Sequence, residues 1–257
     1  MRYLLNSCTD PWWNMALDEW MLHSGPDEPV FWLWRNSPSV IIGYNQVAEA
    51  EVNLEYLRAH GIKLARRVTG GGAVYHDLQN LNYSFAGPIG SFAGISREQN
   101  APICTPGLDV PSLFVRALRD LGLPASLTGR NDIFVDGRKV SGYARSLWKN
   151  RELVHGTLMY NVDIDTLTAV LNVEGSSKLA LKGVASVRSR VANVRDYFPQ
   201  FSSLDELQAA LQEKLSRSPE DSDSQSCEFF LTESQRAEID SLAGAKFASQ
   251  DWIYLRK

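Results

Sequence analysis

Cysteine is scarce in this 257-residue chain: Cys8, Cys104 and Cys227 are odd in number and far apart. That spacing excludes a disulfide framework and the paired ligands of a zinc site. Long apolar runs are missing as well. No stretch approaches the ~20 residues that a membrane-spanning helix needs, and no basic segment followed by an apolar one opens the chain. The reading is a cytoplasmic protein with no membrane partner, although a removed transit peptide would leave no trace. Positive charge is not in excess either. A formal net charge of −4 argues against wholesale nucleic-acid binding and leaves room only for local basic patches. What remains is ordinary for a soluble globular protein: 44% hydrophobic and 22% charged residues, and length enough for a substantial core.

Local patterns predict alternating helices and strands without regular βαβ spacing, which favours an α+β fold with a mixed, largely antiparallel sheet. Asp10-Pro11 starts a helix, Asp as N-cap and Pro at the first helical position, with Ala16, Leu17, Trp20 and Met21 at helical spacing around Asp18 and Glu19. Val30–Trp34 and Val40–Gly43 read as strands, Asn53–His60 as a short helix closed by Gly61, and Ile62–Arg67 as a strand. Ala73–His76 and Leu81–Ala86 follow as strands. Residues 88–111 read as a long loop and Ser112 as the cap of a helix. Ile133–Val135 and Lys139–Tyr143 form a hairpin turned at Asp136-Gly137. A strand over 153–162 and a helix near 164–171 come next. Capping patterns start helices at Ser203 and Thr232, on either side of a polar linker at about 217–228. Five of the seven tryptophans lie at or before Trp34, a clustering that fits a core layer better than an aromatic ligand box.

Function is concentrated in Arg66-Arg67-Val68-Thr69-Gly70-Gly71-Gly72-Ala73-Val74-Tyr75-His76-Asp77, running on to Asn80. Three glycines permit positive φ and close approach of a ligand to the backbone, and successive N–H groups in such a turn suit phosphate or carboxylate oxygens. Two preceding arginines supply planar forks for the same oxygens. A tight turn between strands would explain the glycines alone. It would not need Arg-Arg before them or Tyr-His-Asp after them.

This stretch resembles the signature of the lipoate-protein ligase A family. Three further blocks agree, in the same order: Gly129-Arg130-Asn131-Asp132-Ile133 with Asp136-Gly137-Arg138-Lys139-Val140-Ser141-Gly142; His155-Gly156-Thr157-Leu158; and Lys182-Gly183 with Ser186-Val187-Arg188-Ser189-Arg190-Val191. The resemblance runs from Asp10-Pro11-Trp12 to Trp252. It implies the α+β catalytic fold shared with biotin ligases and octanoyltransferases. It also implies a reaction in which lipoate is activated by ATP to lipoyl-AMP and passed to one lysine of an acceptor. The acceptors it implies are lipoyl domains of 2-oxoacid dehydrogenase E2 components and the glycine cleavage H protein.

Carried over position by position, the resemblance makes Lys139 the central catalytic cation, in contact with acyl carbonyl and phosphate. Arg67, Gly72, Ala73, Val74, Tyr75, Asn131 and Asp132 match nucleotide and acyl-adenylate contacts. Thr69, Gly70, Gly71, His76, Asn80, Ala144, His155 and Thr157 complete the expected binding set. Asp132 beside a triphosphate is the candidate Mg²⁺ ligand, though Asn-Asp also initiates turns. His76 and His155 read as hydrogen-bonded wall residues before general bases. Val74, Leu33 and Val140 are candidate walls for the acyl chain.

Other readings stay open: an ATP-independent octanoyl or lipoyl transferase, for which Cys104 would be the candidate nucleophile, and a non-catalytic lipoate- or acceptor-binding module. The sequence is read as one catalytic domain, 1–257. It stops where many family members continue into a smaller C-terminal domain, so a separate accessory protein is expected to assist adenylation. Lys178, Lys182, Arg188, Arg190 and Arg195 form a basic segment without an acidic residue, suited to meeting an acidic acceptor.

Overall fold

The computed structural model describes residues 1–92, 109–128, 131–171, 191–216 and 228–256. Among the described residues, eight strands form the main sheet. In chain order they are β1 (Arg2–Leu4), β2 (Val30–Trp34), β6 (Asn80–Pro88), β7 (Ser126–Thr128), β8 (Asp132–Val135), β9 (Arg138–Trp148), β10 (Arg151–Met159) and β11 (Glu228–Phe229). Their spatial order is β11-β1-β2-β6-β10-β9-β8-β7. The pairs β11/β1 and β1/β2 are parallel; from β2 to β7 every pairing is antiparallel. A second sheet holds β3 (Ser39–Ile42), β4 (Lys63–Arg66) and β5 (Val74–His76), in the order β4-β3-β5. The α+β expectation is what the structure has.

Strand alternation sorts the side chains of the large sheet between two layers. Phe31, Leu33, Tyr83 and Phe85 face one core with Phe114 and Leu118 of helix α4 (Asp109–Asp120) and Leu207 and Leu211 of helix α6 (Leu204–Ser216). Val30, Trp32, Trp34, Ala86 and Leu153 face the other, where helix α1 (Pro11–Ser24) packs. α1 starts as expected: the Asp10 side chain accepts from the N–H groups of Trp12 and Trp13. It is buried almost all round, because helix α7 (Glu233–Leu242) covers its outer side. The tryptophan cluster belongs to this layer. Indole N–H groups of Trp13 and Trp20 donate to Asp240 and Glu238 of α7, and that of Trp12 to the Leu64 carbonyl.

Several expectations shift by short distances. α4 begins at Asp109, so Ser112 lies inside the helix; Pro111, in the first turn, gives up an N–H that has no helical partner there. Glu228, placed in the linker, pairs with Tyr3 in β11. Ser203 accepts from the N–H of Glu206, but the Glu206 carboxylate turns to Ser202 and does not close the box. Thr232 and Gln235 do close one. Helices α2 (Ala48–Glu51) and α8 (Gln250–Ile253) and strands β1, β7 and β11 carry too few residues to show a period. Helices α3 (Leu54–His60) and α5 (Ile164–Val170) stand where expected, and Gly61 caps α3 at φ 64°. Cys104, the bulk of the basic segment and most of the polar linker lie outside the described residues. No described helix is long and apolar enough to cross a membrane.

Candidate active site

A cavity of about 500 Å³ lies on the α1 face of the large sheet, between that sheet and the glycine turn. Its floor is a row of cross-strand neighbours. Asp132 pairs with Gly142, Thr157 with Asn82, and Asn82 with Trp34; Gly156 opposite Tyr143 puts Thr157 beside Gly142. All five line the cavity, and four strand spacings make the row about 19 Å long. Polar residues Asn131, Asp132 and Lys139 stand at one end. Met15, Trp34 and Ile41 form an apolar end, and Arg67, Gly71, Gly72, Ala73 and Val74 form the roof.

Lys139 owes its position to the hairpin. Asp136 and Gly137 adopt φ of 49° and 71°, the tight turn that Asp-Gly favours, and a bulge at Ile133/Phe134 shifts the register beyond it. Lys139 Nζ reaches Asp132 Oδ1 at 2.7 Å, both side chains about one quarter exposed. A Cβ on Gly142 would stand 3.1 Å from that ammonium, so the glycine leaves it room. Asn131 braces the same wall, its Nδ2 donating to the Tyr143 carbonyl.

The roof differs from expectation in its arginines. Neither presents a free fork to an anion. Arg66 is wholly buried and donates to the carbonyls of Gly43, Tyr44, Gln46, Trp252 and Ile253. Arg67 donates to the carbonyls of Ile41, Gly70 and Gly72 and to Thr69 Oγ1. Burial pulls both guanidinium groups down to about 10, still charged at neutral pH. Arg67 therefore shapes the turn from within. Gly71, at φ 97°, takes the conformation that needs glycine, and a Cβ there would meet Arg67 Nη2 at 2.8 Å. Gly43, unmarked in the sequence, is as constrained: its Cβ would lie 2.3 Å from the Gly71 carbonyl oxygen.

Both motif histidines are held by protein atoms. His155 is bonded through Nδ1 to Asp18 at 2.5 Å and through Nε2 to Thr69 at 2.6 Å. His76 Nδ1 lies 3.0 Å from the Asn36 amide nitrogen and must accept from it, which leaves the proton on Nε2. Burial, helped by Arg67 and His155, pushes His76 down to about 3, so it is neutral. Its Nε2 and the amide nitrogen of Asn82 have no partner among the described residues.

Of the expected residues, Arg67, Gly71, Gly72, Ala73, Val74, His76, Asn131, Asp132, Lys139, Ala144, His155 and Thr157 converge on the cavity. Tyr75 does not. It alternates with Val74 and His76 on β5 and turns to the core of the small sheet, where burial and then Asp77 and Asp163 raise its phenol to about 12. Thr69, Gly70 and Asn80 stand behind the lining; Asn80 donates to Asn82. Leu33 and Val140 belong to the opposite core and are not acyl walls. Met15, Trp34, Ile41, Asn82 and Tyr143 line the cavity although no sequence signal assigns them to it, and Gly142 and Gly156, inside the motif blocks, line it as well. Asp18 was also overlooked, although a carboxylate on the apolar face of α1 was a signal. Cys8 does not line the cavity, and burial raises its thiol above the ordinary range.

The lipoyl protein ligase A/B catalytic domain family matches residues 10–216. Lipoate–protein ligase 1 of Staphylococcus aureus is 38% identical over 252 residues, 98% of this chain and 72% of that protein. A bi-partite lipoate protein ligase from Thermoplasma acidophilum, described with its E2 lipoyl domain, superposes with a TM-score of 0.77 at 33% identity, covering 98% of this chain and 95% of the other. A lipoate-protein ligase A bound with ATP superposes with a TM-score of 0.76 at 31% identity, covering 98% of each chain. The chain therefore belongs to the lipoyl protein ligase A/B catalytic domain family.

Proposed function

We propose that this chain is a lipoate–protein ligase that works on ATP and lipoate in the cavity described above. The observation that carries the reading is the polarity of that cavity: a cation at one end of a 19 Å row, an apolar end, and a glycine roof between them. An acyl chain of lipoate's length fits from Lys139 toward Trp34, with its carboxylate at the ammonium.

Two displacements follow. A carboxylate oxygen of lipoate attacks the α-phosphorus of ATP; the new O–P bond forms as the α–β bond breaks and pyrophosphate leaves. The acceptor lysine, as a neutral amine, then attacks the acyl carbon, an amide forms, and AMP leaves with the electron pair of the C–O bond. Lys139 opposes the charge that develops on phosphate and acyl oxygens in both steps, and the turn N–H groups do the same without reorganising. Its ion pair with Asp132 holds the ammonium before substrate arrives. Neither histidine is free to take the amine's proton, so that proton goes to solvent or to the departing phosphate.

Mg²⁺ would suit this site as an ATP-borne ion. Among the described residues no three His, Cys, Asp or Glu side chains are grouped to hold a metal. Asp132 could offer its second oxygen, with phosphates and water supplying the rest, as Mg²⁺ prefers. Bound there, the ion would neutralise phosphate charge. Acceptors are lipoyl domains of the E2 type, as the T. acidophilum pair supports. The glycine cleavage H protein and an accessory protein that aids adenylation extend the proposal. ATP–pyrophosphate exchange with and without lipoate tests it. Lipoate-dependent exchange is expected; transfer from an acyl carrier without any exchange would replace the ligase with a transferase.

A further inference from the structure

From the cavity wall into the protein behind it, five side-chain hydrogen bonds run without a break. Trp34 Nε1 lies 2.9 Å from Ser84 Oγ, Ser84 Oγ 2.8 Å from Asp18 Oδ1, and Asp18 Oδ2 2.5 Å from His155 Nδ1. His155 Nε2 lies 2.6 Å from Thr69 Oγ1, which is 3.1 Å from Arg67 Nε. All six side chains are buried. The chain joins β2, β6, α1, β10 and the glycine turn, five segments far apart in sequence.

With His155 neutral, donor chemistry orients the protons along the chain. Both ends are obligate donors, an indole N–H and a guanidinium N–H. Ser84 accepts from Trp34 and so gives its own proton to Asp18. Thr69 accepts from Arg67 and keeps its own proton to give; a neutral His155 that donates from Nδ1 to the Asp18 carboxylate leaves Nε2 a bare acceptor for it. The imidazole proton sits on Nδ1 and points at Asp18. One carboxylate is the acceptor on which both arms converge. We infer that Asp18 and His155 are positioning residues. By fixing the imidazole tautomer they make Thr69 receive Arg67, and Arg67 in turn holds the Gly70 and Gly72 carbonyls, so the roof is in its ligand-ready shape before any ligand arrives. None of these groups needs to touch the reacting atoms.

Isosteric substitutions separate this role from packing. Asp18→Asn keeps volume but puts a donor where two donors already point. Thr69→Val keeps shape and removes the hydroxyl; Thr69→Ser keeps the hydroxyl and loses a methyl. The affinity inference rests on the ligase reading, so one readout avoids ligand altogether. In the ligand-free protein, nitrogen-15 shifts should show His155 protonated at Nδ1. Amide exchange at Gly70–Gly72 should quicken in Asp18→Asn and Thr69→Val but not in Thr69→Ser. Calorimetry with a non-hydrolysable lipoyl-adenylate analogue should then show about 10- to 100-fold weaker binding for Asp18→Asn and Thr69→Val, as expected for losing a charge-assisted bond, and a near-normal Thr69→Ser. The Asp18→Asn, Thr69→Val double variant should bind about as well as the weaker single one, because both break one chain. A wild-type His155 protonated at Nε2, an unperturbed Thr69→Val turn, or additive effects would overturn the inference. Failure of the wild type to bind the analogue would count against the ligase reading alone, since the exchange and tautomer results stand without it.

Discussion

The roof and the hairpin wall of the cavity are built on opposite plans. In the roof, eleven donor–acceptor contacts from Arg66 and Arg67 brace the glycine turn and the segments beside it through backbone carbonyls and Thr69, both side chains being buried. In the hairpin wall, one ion pair between Lys139 and Asp132 stands a quarter open to solvent. The difference separates shape from charge. Removing a roof group leaves buried carbonyls unpaired and threatens the fold. Removing a wall group costs little structure, because solvent takes its place.

Lys139→Ala is expected to leave the fold intact. It should lower the rate of lipoylation by about 10²–10³, the usual effect of losing one preorganised charge, while the unfolding midpoint stays within a few degrees of wild type. Lipoylation of an acceptor domain and a thermal melt on one preparation decide it. Arg66→Met should do the reverse first, costing on the order of 3 kcal/mol and lowering the melting midpoint by about 6–12 °C for a chain of this size. A midpoint near wild type would mean that the roof is not held from Arg66.

His76 sharpens the contrast through pH. Its folded value, about 3, lies below the ordinary 6.5, so the folded state binds fewer protons than the unfolded one. The associated stability is complete above pH 6.5 and is lost as pH falls toward 3. Across that window His76 should add up to about 1.4 kcal/mol per pH unit to the slope. Urea titrations at several pH values should show the slope reduced in His76→Asn, which can still accept from Asn36. An unchanged slope would mean that His76 is not held neutral. The smallest effect is expected at Asp132. Asp132→Asn should change stability by less than about 1 kcal/mol, as partly exposed pairs do, and the change should shrink with salt.

Much of this was legible in the sequence, for a physical reason that differs from element to element. α1 and α3 announce themselves by caps, and the β8–β9 hairpin by Asp-Gly, because those residues act on their own backbone. The motif blocks named most of the cavity. What they could not convey was direction. Adjacent arginines leave a strand on opposite faces, so Arg66 and Arg67 reach different carbonyl sets, and Tyr75 turns away between two residues that face the ligand. On β2 the sequence points to Leu33 as a wall and to Trp34 as core, and strand alternation reverses the two. Gly43 and Asp18 act through partners distant in sequence, which no local pattern displays.

Arg66 also has a consequence for the time at which the site comes into being. Its guanidinium is completed by the carbonyls of Trp252 and Ile253, and the Trp252 indole returns a bond to the Arg66 carbonyl. These contacts span 186 and 187 positions along the chain. During synthesis the glycine motif emerges well before α8, and its bracing waits for that helix. Non-local closures of that kind are slow and come late. A nascent chain lacking α8 would carry the whole glycine motif and still leave the charged Arg66 without the Trp252 and Ile253 carbonyls.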